Sequence, residues 1–194
     1  MTYRHIALIG HARSGKDTIG ARLGAKYSFV RLAIADPLRA VALDLDPIVG
    51  AQPLGMGTVP IRLSEVVGRY GWERTKVEYS EVRRMLQRLG EAVRTHDPEY
   101  WVRLALERVD VADQWGLPVV VTDVRHTNEL EALRSRGALV VRVVRPGVGR
   151  LAGAEGQHVT ETELDQAEAD VTVTNAGTLA DLHQLADSLA VRQS

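Results

Sequence analysis

Five short runs of consecutive apolar residues, many of them β-branched, are spread along the chain. Continuous rather than alternating hydrophobicity is typical of parallel strands that are covered on both faces. Helical patterns separate the runs, and this alternation predicts a doubly wound α/β fold around a five-stranded parallel sheet. The predicted strands are residues 6–9, 29–32, 119–122, 139–144 and 171–174.

The interval between the second and third predicted strands is too long for one crossover connection. We therefore expect an inserted helical subdomain at about residues 37–115, with a core made of residues 1–36 and 116–194. Within the insert, residues 47–60 are rich in glycine and proline, which predicts a surface loop. One amphipathic helix is indicated by apolar residues at helical spacing, namely Val82, Met85, Leu86, Leu89 and Val93.

Three further helix starts are marked by capping residues. Asp97-Pro98-Glu99 places an acid at the N-cap and proline at the first helical position. Asp36-Pro37 has the same form, so it can start a helix without any functional role. Asn128 with Glu131 resembles a capping box.

Composition limits the classes of protein to consider. The 194 residues suffice for one α/β domain with an insertion. A net charge of −1 provides no global field that would attract nucleic acid or an anionic membrane. Cysteine is absent, which excludes disulfides, zinc–thiolate sites and thiol catalysis. No apolar stretch approaches the ~20 residues of a membrane span, and together these features predict a cytoplasmic protein.

A glycine-rich loop follows the first predicted strand and opens a helix. Residues 10–16 fit the pattern G-x-x-x-x-G-K, in which backbone N–H groups turn inward around phosphate oxygens. Lys16 is a compact charge that can reach the β- and γ-phosphates of a nucleotide. The alternative is a glycine-rich turn without a ligand. The residues expected around the phosphates are Gly10, Arg13, Ser14, Gly15, Lys16, Asp17 and Thr18.

Asp17 occupies the position where serine or threonine is usual in this pattern. A hydroxyl there normally ligates Mg²⁺. The Asp17 carboxylate could do so directly or through water, or Thr18 could substitute for it. An equally weighted alternative is that Asp17 is an acidic first-turn residue that interacts favourably with the helix dipole.

The apolar strand at residues 119–122 is followed by Asp123, at the sheet edge where open α/β folds bind ligands. This arrangement predicts a water-mediated contact between Asp123 and Mg²⁺, with an ordinary loop acid as the alternative. Arg125 is a candidate anion contact or else a solvated arginine. Arg145 and Arg150 lie in a glycine-rich segment, residues 145–160, and are candidates for a lid that excludes water from the transferred phosphoryl group.

One face of the predicted insert helix is polar. Arg84, Gln87, Glu91 and Arg94 lie at helical spacing opposite the apolar stripe. That face is either a solvated surface or the wall of a site for the acceptor of a phosphoryl group.

In combination, these features resemble the deoxynucleoside monophosphate kinases encoded by bacteriophages. Thr160 stands where serine is expected, and His126-Thr127 replaces a more apolar pair, whereas Asp17 is shared with that family. Only three of the 24 basic residues are lysine, and this arginine bias suggests an actinobacteriophage source. The stretches that carry the resemblance are Ser14-Gly15-Lys16-Asp17-Thr18, Ala35-Asp36-Pro37-Leu38, Leu86-Gln87-Arg88-Leu89-Gly90, Thr122-Asp123-Val124-Arg125 with Asn128-Glu129, Arg145-Pro146-Gly147, His158-Val159-Thr160-Glu161 and Asn175-Ala176-Gly177-Thr178-Leu179.

The resemblance implies a P-loop fold of the nucleoside-monophosphate-kinase type with an acceptor-binding insert and a lid. It implies transfer of the ATP γ-phosphate, with Mg²⁺, to deoxynucleoside monophosphates in the host cytoplasm. Nucleotides are then the partners, rather than nucleic acid or membrane, and a homodimer is one possible assembly. The implied catalytic residues are Lys16, Asp17, Asp123, Arg145 and Arg150. Metal contacts are expected from Asp17, Thr18 and Asp123, an ATP contact from Asn175, and acceptor contacts from Asp36, Arg84, Gln87, Arg94 and Arg125.

Three rival functions share parts of this pattern. Phosphomevalonate kinase of the animal type also has Gly-Lys-Asp in its loop and differs in its acceptor. A P-loop binding module would switch partners without phosphorylating anything, although no Asn-Lys-x-Asp guanine motif is present. A kinase for polynucleotide ends is disfavoured by the near-neutral charge.

Overall fold

The computed structural model describes residues 3–147 and 163–192 of the chain. Within these ranges, the five strands predicted from the hydrophobic pattern are present, together with two further strands between residues 48 and 62. The elements are β1 (Ile6–Ile9), α1 (Lys16–Tyr27), β2 (Val30–Leu32), α2 (Asp36–Leu45), β3 (Ile48–Leu54), β4 (Gly57–Arg62), α3 (Leu63–Glu78), α4 (Ser80–His96), α5 (Tyr100–Gln114), β5 (Val119–Val121), α6 (Thr127–Ser135), β6 (Leu139–Val144), β7 (Val171–Thr174) and α7 (Leu179–Ser188).

The five predicted strands form one parallel sheet in the order β2-β5-β1-β6-β7. Strand β1 lies at the centre, where Ile6 is opposite Val120 of β5 and Leu139 of β6. Every residue of β1 and β5 is buried, as expected for strands covered on both faces. The α/β fold class with a five-stranded parallel sheet is therefore confirmed.

Helices α1 and α7 share one hydrophobic core with the sheet. Ile19 and Leu23 of α1 and Leu182 of α7 are buried in the same cluster as the side chains of β1 and β6. Full burial of such a side chain stabilises a fold by about 1.5–3 kcal/mol. At the surface, Asp187 of α7 accepts two hydrogen bonds of 2.8 Å from Arg22 of α1 and one of 2.7 Å from Lys26. These contacts join the C-terminal half of α1 to α7 at the surface.

Residues Ala35–Trp101 form a second compact unit, and the first unit comprises Met1–Ile34 with Val102–Ser194. The second unit has a core of its own, in which Leu63, Val66, Val82 and Leu86 are buried. The insert was predicted to reach residue 115, but the compact unit ends at Trp101. The remainder of α5 belongs to the first unit, where Asp113 contacts His5 at 2.8 Å. The functional division into core, insert and lid stays a prediction.

The prediction of a surface loop without strands at residues 47–60 is wrong. Strands β3 and β4 form an antiparallel hairpin across this stretch, with Gln52 opposite Val59. In a two-stranded sheet each strand has an open edge, so Pro53 and Pro60 can be accommodated without their N–H groups. Gly55, with a φ of 58°, supplies the turn. Most hairpin residues are exposed, which explains why their pattern carries no strand signal.

Two predicted helix starts are shifted by a few residues. Helix α5 begins at Tyr100, while the Asp97 carboxylate accepts a hydrogen bond from the Glu99 N–H. The N-cap of α6 is His126 rather than Asn128, and its acidic partner is Glu129 rather than Glu131. The predicted capping box was wrong because Glu129 is the acid that reaches back to the first N–H groups. No helix within the described ranges combines the length and hydrophobicity needed to cross a membrane.

Candidate active site

The loop between β1 and α1 has a backbone that only glycine permits at two positions. Gly10 has a φ of 132°, and a Cβ atom there would overlap the carbonyl oxygen of Val143. Gly15 has a φ of 112°, and a Cβ there would lie 2.7 Å from Nδ2 of Asn175. Both angles fall in the region that L side chains rarely adopt. The two glycines of the sequence pattern are therefore required by backbone shape and by close packing.

Lys16 links the two ends of the glycine-rich loop at residues 10–16, which we call the phosphate loop. Its Nζ atom donates hydrogen bonds to the carbonyl oxygens of Gly10 at 2.7 Å and His11 at 2.8 Å. The His11 carbonyl also accepts from the Ser14 N–H at 3.3 Å. These bonds join the two ends of the loop, and they hold the ammonium group beside the loop before any anion binds.

Asn175 joins the end of β7 to the same loop. Its side-chain Nδ2 donates to the Ser14 carbonyl oxygen at 2.9 Å, and its backbone N–H donates to Val144 at 2.7 Å. The side chain is only 8% exposed. Asn175 therefore supports the loop directly, and the predicted contact with ATP stays a prediction.

A cleft at the carboxyl edge of the sheet adjoins the loop. Its walls carry three cationic side chains and two carboxylates, a charge pattern that suits a phosphate group together with a hydrated cation. Asp123 lies at the end of β5, where its carboxylate accepts a hydrogen bond of 2.6 Å from the Ile34 N–H. The residues that line the cleft are Gly10, Ala12, Lys16, Asp123, Val124, Arg125, Arg142, Leu164 and Asp165.

Two charged lining residues, Arg142 and Asp165, were not predicted as site residues from the sequence. Arg142 interrupts the apolar run of β6, which was the available signal, and its Nη2 donates to the carbonyl oxygens of Leu164 at 2.9 Å and Ala167 at 2.6 Å. The Asp165 carboxylate lies 3.3 Å from Nε2 of His11. No local pattern marks Asp165, because its neighbours in sequence show no periodicity.

The backbone at Arg125 is fixed by two carboxylates. Glu129 is only 2% exposed and accepts hydrogen bonds from the N–H groups of Arg125 at 2.8 Å and His126 at 3.1 Å. Glu163 accepts from the Thr127 N–H at 2.7 Å and contacts Nδ1 of His126 at 2.7 Å. Although burial opposes it, these hydrogen bonds hold the pKa of Glu163 below its usual range. The Arg125 side chain itself is exposed.

The three predicted metal contacts are oxygen donors on the loop side of the sheet. Asp17 is exposed and Thr18 half-buried in the first turn of α1, and Asp123 lines the cleft. The described residues contain no group of three or more histidine and carboxylate side chains that could hold a metal by themselves. Such a sparse, hard donor set fits Mg²⁺, which usually takes one or two carboxylates and completes its shell with water and substrate phosphates.

Four of the predicted acceptor residues lie in the second unit. Asp36 begins α2 and accepts a hydrogen bond of 3.2 Å from Arg39. Arg84 of α4 is exposed and pairs with Glu81 at 2.8 Å, while Gln87 and Arg94 on the same helix are half-buried. Their acceptor role stays a prediction.

Of the two predicted lid arginines, only Arg145 lies within the described residues. Arg145 follows β6 directly and is exposed. Arg150 lies outside the described residues. Of the predicted site residues, Gly10, Lys16, Asp123 and Arg125 line one cleft of the first unit. Most of the predicted lid segment, residues 148–160, lies outside the described residues.

Comparison with known proteins shows the family of the chain. The family model of deoxynucleotide monophosphate kinases matches residues 62–185. The chain is 38% identical over 105 residues to the deoxynucleotide monophosphate kinase of Escherichia phage RB69, which is 53% of this chain and 41% of that protein. The enzyme of the same name from Enterobacteria phage T4 is 38% identical over 104 residues, 52% of this chain and 42% of that protein. The matched region therefore spans less than half the length of each of these relatives.

A solved sugar kinase from Janibacter sp. HTCC2649 has a similar fold. It has a TM-score of 0.51 and 12% sequence identity, and the comparison covers 96% of this chain and 94% of that one. At this identity the likeness concerns the fold alone.

The predicted actinobacteriophage source stays a prediction. Because the family model covers well over half of the chain, including Asp123, Arg125 and Asn175, the chain belongs to the deoxynucleotide monophosphate kinase family.

Proposed function

We propose that this protein transfers the γ-phosphate of ATP to deoxynucleoside monophosphates and thereby supplies deoxynucleoside diphosphates for phage DNA synthesis. The observation that carries the proposal is the cleft in which Lys16, Arg125 and Arg142 lie around the phosphate loop. Family membership supports a deoxynucleotide as the acceptor and disfavours phosphomevalonate. The partners are then small-molecule nucleotides, and the place of action is the host cytoplasm.

The donor side of the reaction rests on the loop. Its backbone N–H groups and the N-terminus of α1 attract phosphate oxygens, and Lys16 adds a full positive charge. Because the loop carbonyls already hold the Lys16 ammonium, little reorganisation is needed when ATP binds. Phosphoryl transfer requires mainly positioning and charge neutralisation, which these groups can supply without covalent chemistry.

Mg²⁺, when bound, would neutralise charge on the phosphate oxygens. Asp123 would hold it through water, and either Asp17 or Thr18 would provide a contact from α1. The position of Asp123 at the end of β5, with its carboxylate oriented by the Ile34 N–H, supports this role. The oxygen-only donor set is the type that Mg²⁺ prefers.

The acceptor side rests on arginines. Arg125 lines the cleft, and Asp36, Arg84, Gln87 and Arg94 are further proposed contacts. Guanidinium groups suit a monophosphate because they donate two parallel hydrogen bonds to it. Arg145 and Arg150 remain the candidates for closing over the transferred group, and a homodimer remains one possible assembly.

A coupled assay of ADP formation tests the proposal. Purified protein is given ATP and Mg²⁺ with each of the four common deoxynucleoside monophosphates, the matching ribonucleotides, or phosphomevalonate. We expect ADP formation that depends on the deoxynucleotide and is lost in Lys16→Ala. ATP binding without turnover on any acceptor would instead identify a binding module, and turnover on phosphomevalonate alone would identify the other kinase class.

A further inference from the structure

Three consecutive residues contact three separate parts of the cleft. We call residues 163–165 the anchor segment. Glu163 contacts the start of α6, the Leu164 carbonyl accepts from Arg142 of β6, and Asp165 contacts His11 of the phosphate loop. The contacted positions are widely separated in sequence from one another and from the anchor segment. The segment therefore joins pieces of the site that no local contact could join.

Asp165 acts on the loop through His11. The Asp165 carboxylate lies 3.3 Å from Nε2 of His11, a ring that is about one-third exposed. The main chain of His11 is in turn the acceptor for Lys16 at 2.8 Å and for the Ser14 N–H at 3.3 Å. Fixing the His11 ring thus restrains the residue whose carbonyl oxygen orients the Lys16 ammonium.

Glu163 acts on the turn that carries Arg125. One carboxylate oxygen accepts from the Thr127 N–H, and the other contacts Nδ1 of His126, each at 2.7 Å. These are the two residues that follow Arg125 in the chain. Glu163 and the buried Glu129 together hold the backbone from which the exposed Arg125 side chain projects.

Leu164 holds the two acids in place. Its side chain is buried, and Arg142 Nη2 donates to its carbonyl oxygen at 2.9 Å. A buried side chain flanked by two tethered carboxylates leaves the anchor segment little freedom. The segment can therefore transmit position to both sides of the cleft.

We propose that Glu163 and Asp165 are positioning residues with separate tasks, Asp165 for the donor loop and Glu163 for the Arg125 turn. This inference rests on the proposed function for its acceptor half, while its donor half requires only that the loop binds ATP. Because Asp165 lines the cleft as a negative charge, electrostatic repulsion alone would make its removal strengthen ATP binding. If Asp165 instead positions the loop, its removal weakens ATP binding. The direction of the change in the Kd of ATP therefore distinguishes the two roles.

The experiment compares Asp165→Asn and Glu163→Gln with the wild type. Glu168→Gln is the matched control, since it removes the same charge from an exposed residue a few positions further on. The Kd of ATP is measured by calorimetry without acceptor, and kcat and KM for a deoxynucleoside monophosphate are measured at saturating ATP. Thermal unfolding of each variant checks that it remains folded.

We expect Asp165→Asn to raise the Kd of ATP about tenfold with an unchanged KM for the acceptor. We expect Glu163→Gln to lower kcat/KM for the acceptor about tenfold with an unchanged Kd of ATP. Both sizes are those expected when a close contact with a charged group is lost. In a His11→Ala background, Asp165→Asn should raise the Kd of ATP by less than it does in the wild type, because the contact between Asp165 and His11 is already absent. Glu168→Gln should leave all constants unchanged.

Two results would overturn the inference. One is a Kd of ATP that falls or stays constant in Asp165→Asn; the other is an equal change of both substrate constants in both variants. Should Asp165→Asn not fold, His11→Ala breaks the same contact from the loop side and is measured in its place. If the wild type binds ATP but phosphorylates no deoxynucleotide, the proposed function fails while the ATP arm still decides the role of Asp165.

Discussion

The side-chain amide of Asn175 donates a hydrogen bond of 2.9 Å to the carbonyl oxygen of Ser14. This contact joins the last strand of the sheet to the phosphate loop, which follows the first strand. The same amide leaves no space for a side chain at Gly15. The loop therefore owes its shape to its own glycines and also to a residue 161 positions away.

Asn175→Ala should weaken ATP binding and lower stability. The change leaves the buried Ser14 carbonyl without this donor, which typically costs about 1–3 kcal/mol of unfolding free energy. We expect a several-fold higher Kd of ATP together with a lower midpoint of denaturant unfolding. Thr174→Ala, at the exposed preceding position of β7, is the control and should leave the Kd unchanged. An Asn175→Ala protein with wild-type affinity for ATP would show that the loop holds its shape alone.

Lys16→Ala should abolish most turnover while the protein stays folded. The Lys16 ammonium donates to the loop carbonyls, and Lys16 is not part of the hydrophobic core, so its removal leaves the core side chains in place. A positioned charge on a transferring phosphoryl group is typically worth ~10²–10³ in rate. Lys26→Ala is the matched control, because that lysine pairs with Asp187 on the surface and should leave kcat near normal. A folded Lys16→Ala protein with near-normal kcat would contradict the interpretation of residues 10–16 as a phosphate-binding P-loop.

Gly10→Ala should damage both the fold and the site. The added methyl group would overlap the Val143 carbonyl of the adjacent strand, and the φ of 132° is unfavourable for alanine. Strain of this type typically costs about 1–3 kcal/mol. Gly68→Ala in α3 has no atom within 4 Å of the new methyl group and should be neutral or slightly stabilising. Denaturant unfolding curves of the two variants measure the change in unfolding free energy. We expect a clear decrease for Gly10→Ala and no decrease for Gly68→Ala.

Stability should fall in acid partly because of Asp187. Hydrogen bonds from Arg22 and then Lys26 hold the pKa of Asp187 far below its ordinary value of 3.8. A lowered folded-state pKa stabilises the fold above the unfolded-state pKa, and this contribution is lost as the pH falls below it. Asp187→Asn should therefore lower the Tm at neutral pH, and its difference from the wild type should shrink below about pH 4. A difference that is constant from neutral to acid pH would contradict this assignment.

Several deoxynucleoside monophosphates should be accepted, and ribonucleotides should be poor substrates. A pocket rejects a 2′-hydroxyl by placing an aromatic or apolar surface where that oxygen would be desolvated without a partner. Tyr70, Trp72 and Tyr79 are only partly buried against the core of the second unit. Trp101 is 3% exposed and donates to the Gly90 carbonyl oxygen, which makes it a packing residue. The measurement is kcat/KM for dGMP against GMP and for dTMP against UMP; ratios near one would refute deoxy selection.

Local sequence patterns were sufficient for the sheet and the phosphate loop. The runs at residues 139–144 and 171–174 match β6 and β7 to the residue, because β-branched residues such as valine and threonine favour the extended backbone of a strand. The loop glycines were predictable because backbone torsion is a local property. The hairpin at β3 and β4 was missed for the complementary reason, since strands that bury little surface need no apolar run.

The tertiary structure alone decided which distant residues meet at the loop. Arg142, Asp165 and Asn175 reach the cleft or the loop because β1 lies between β5 and β6 and β7 lies beside β6. That order follows from how helices cover the two faces of the sheet, and no short stretch of sequence encodes it. For the same reason, no periodic pattern or motif in the sequence marks the contact of Asp165 with His11. Hydrophobic burial favours each strand locally, whereas the partners of a polar side chain depend on which strands become neighbours.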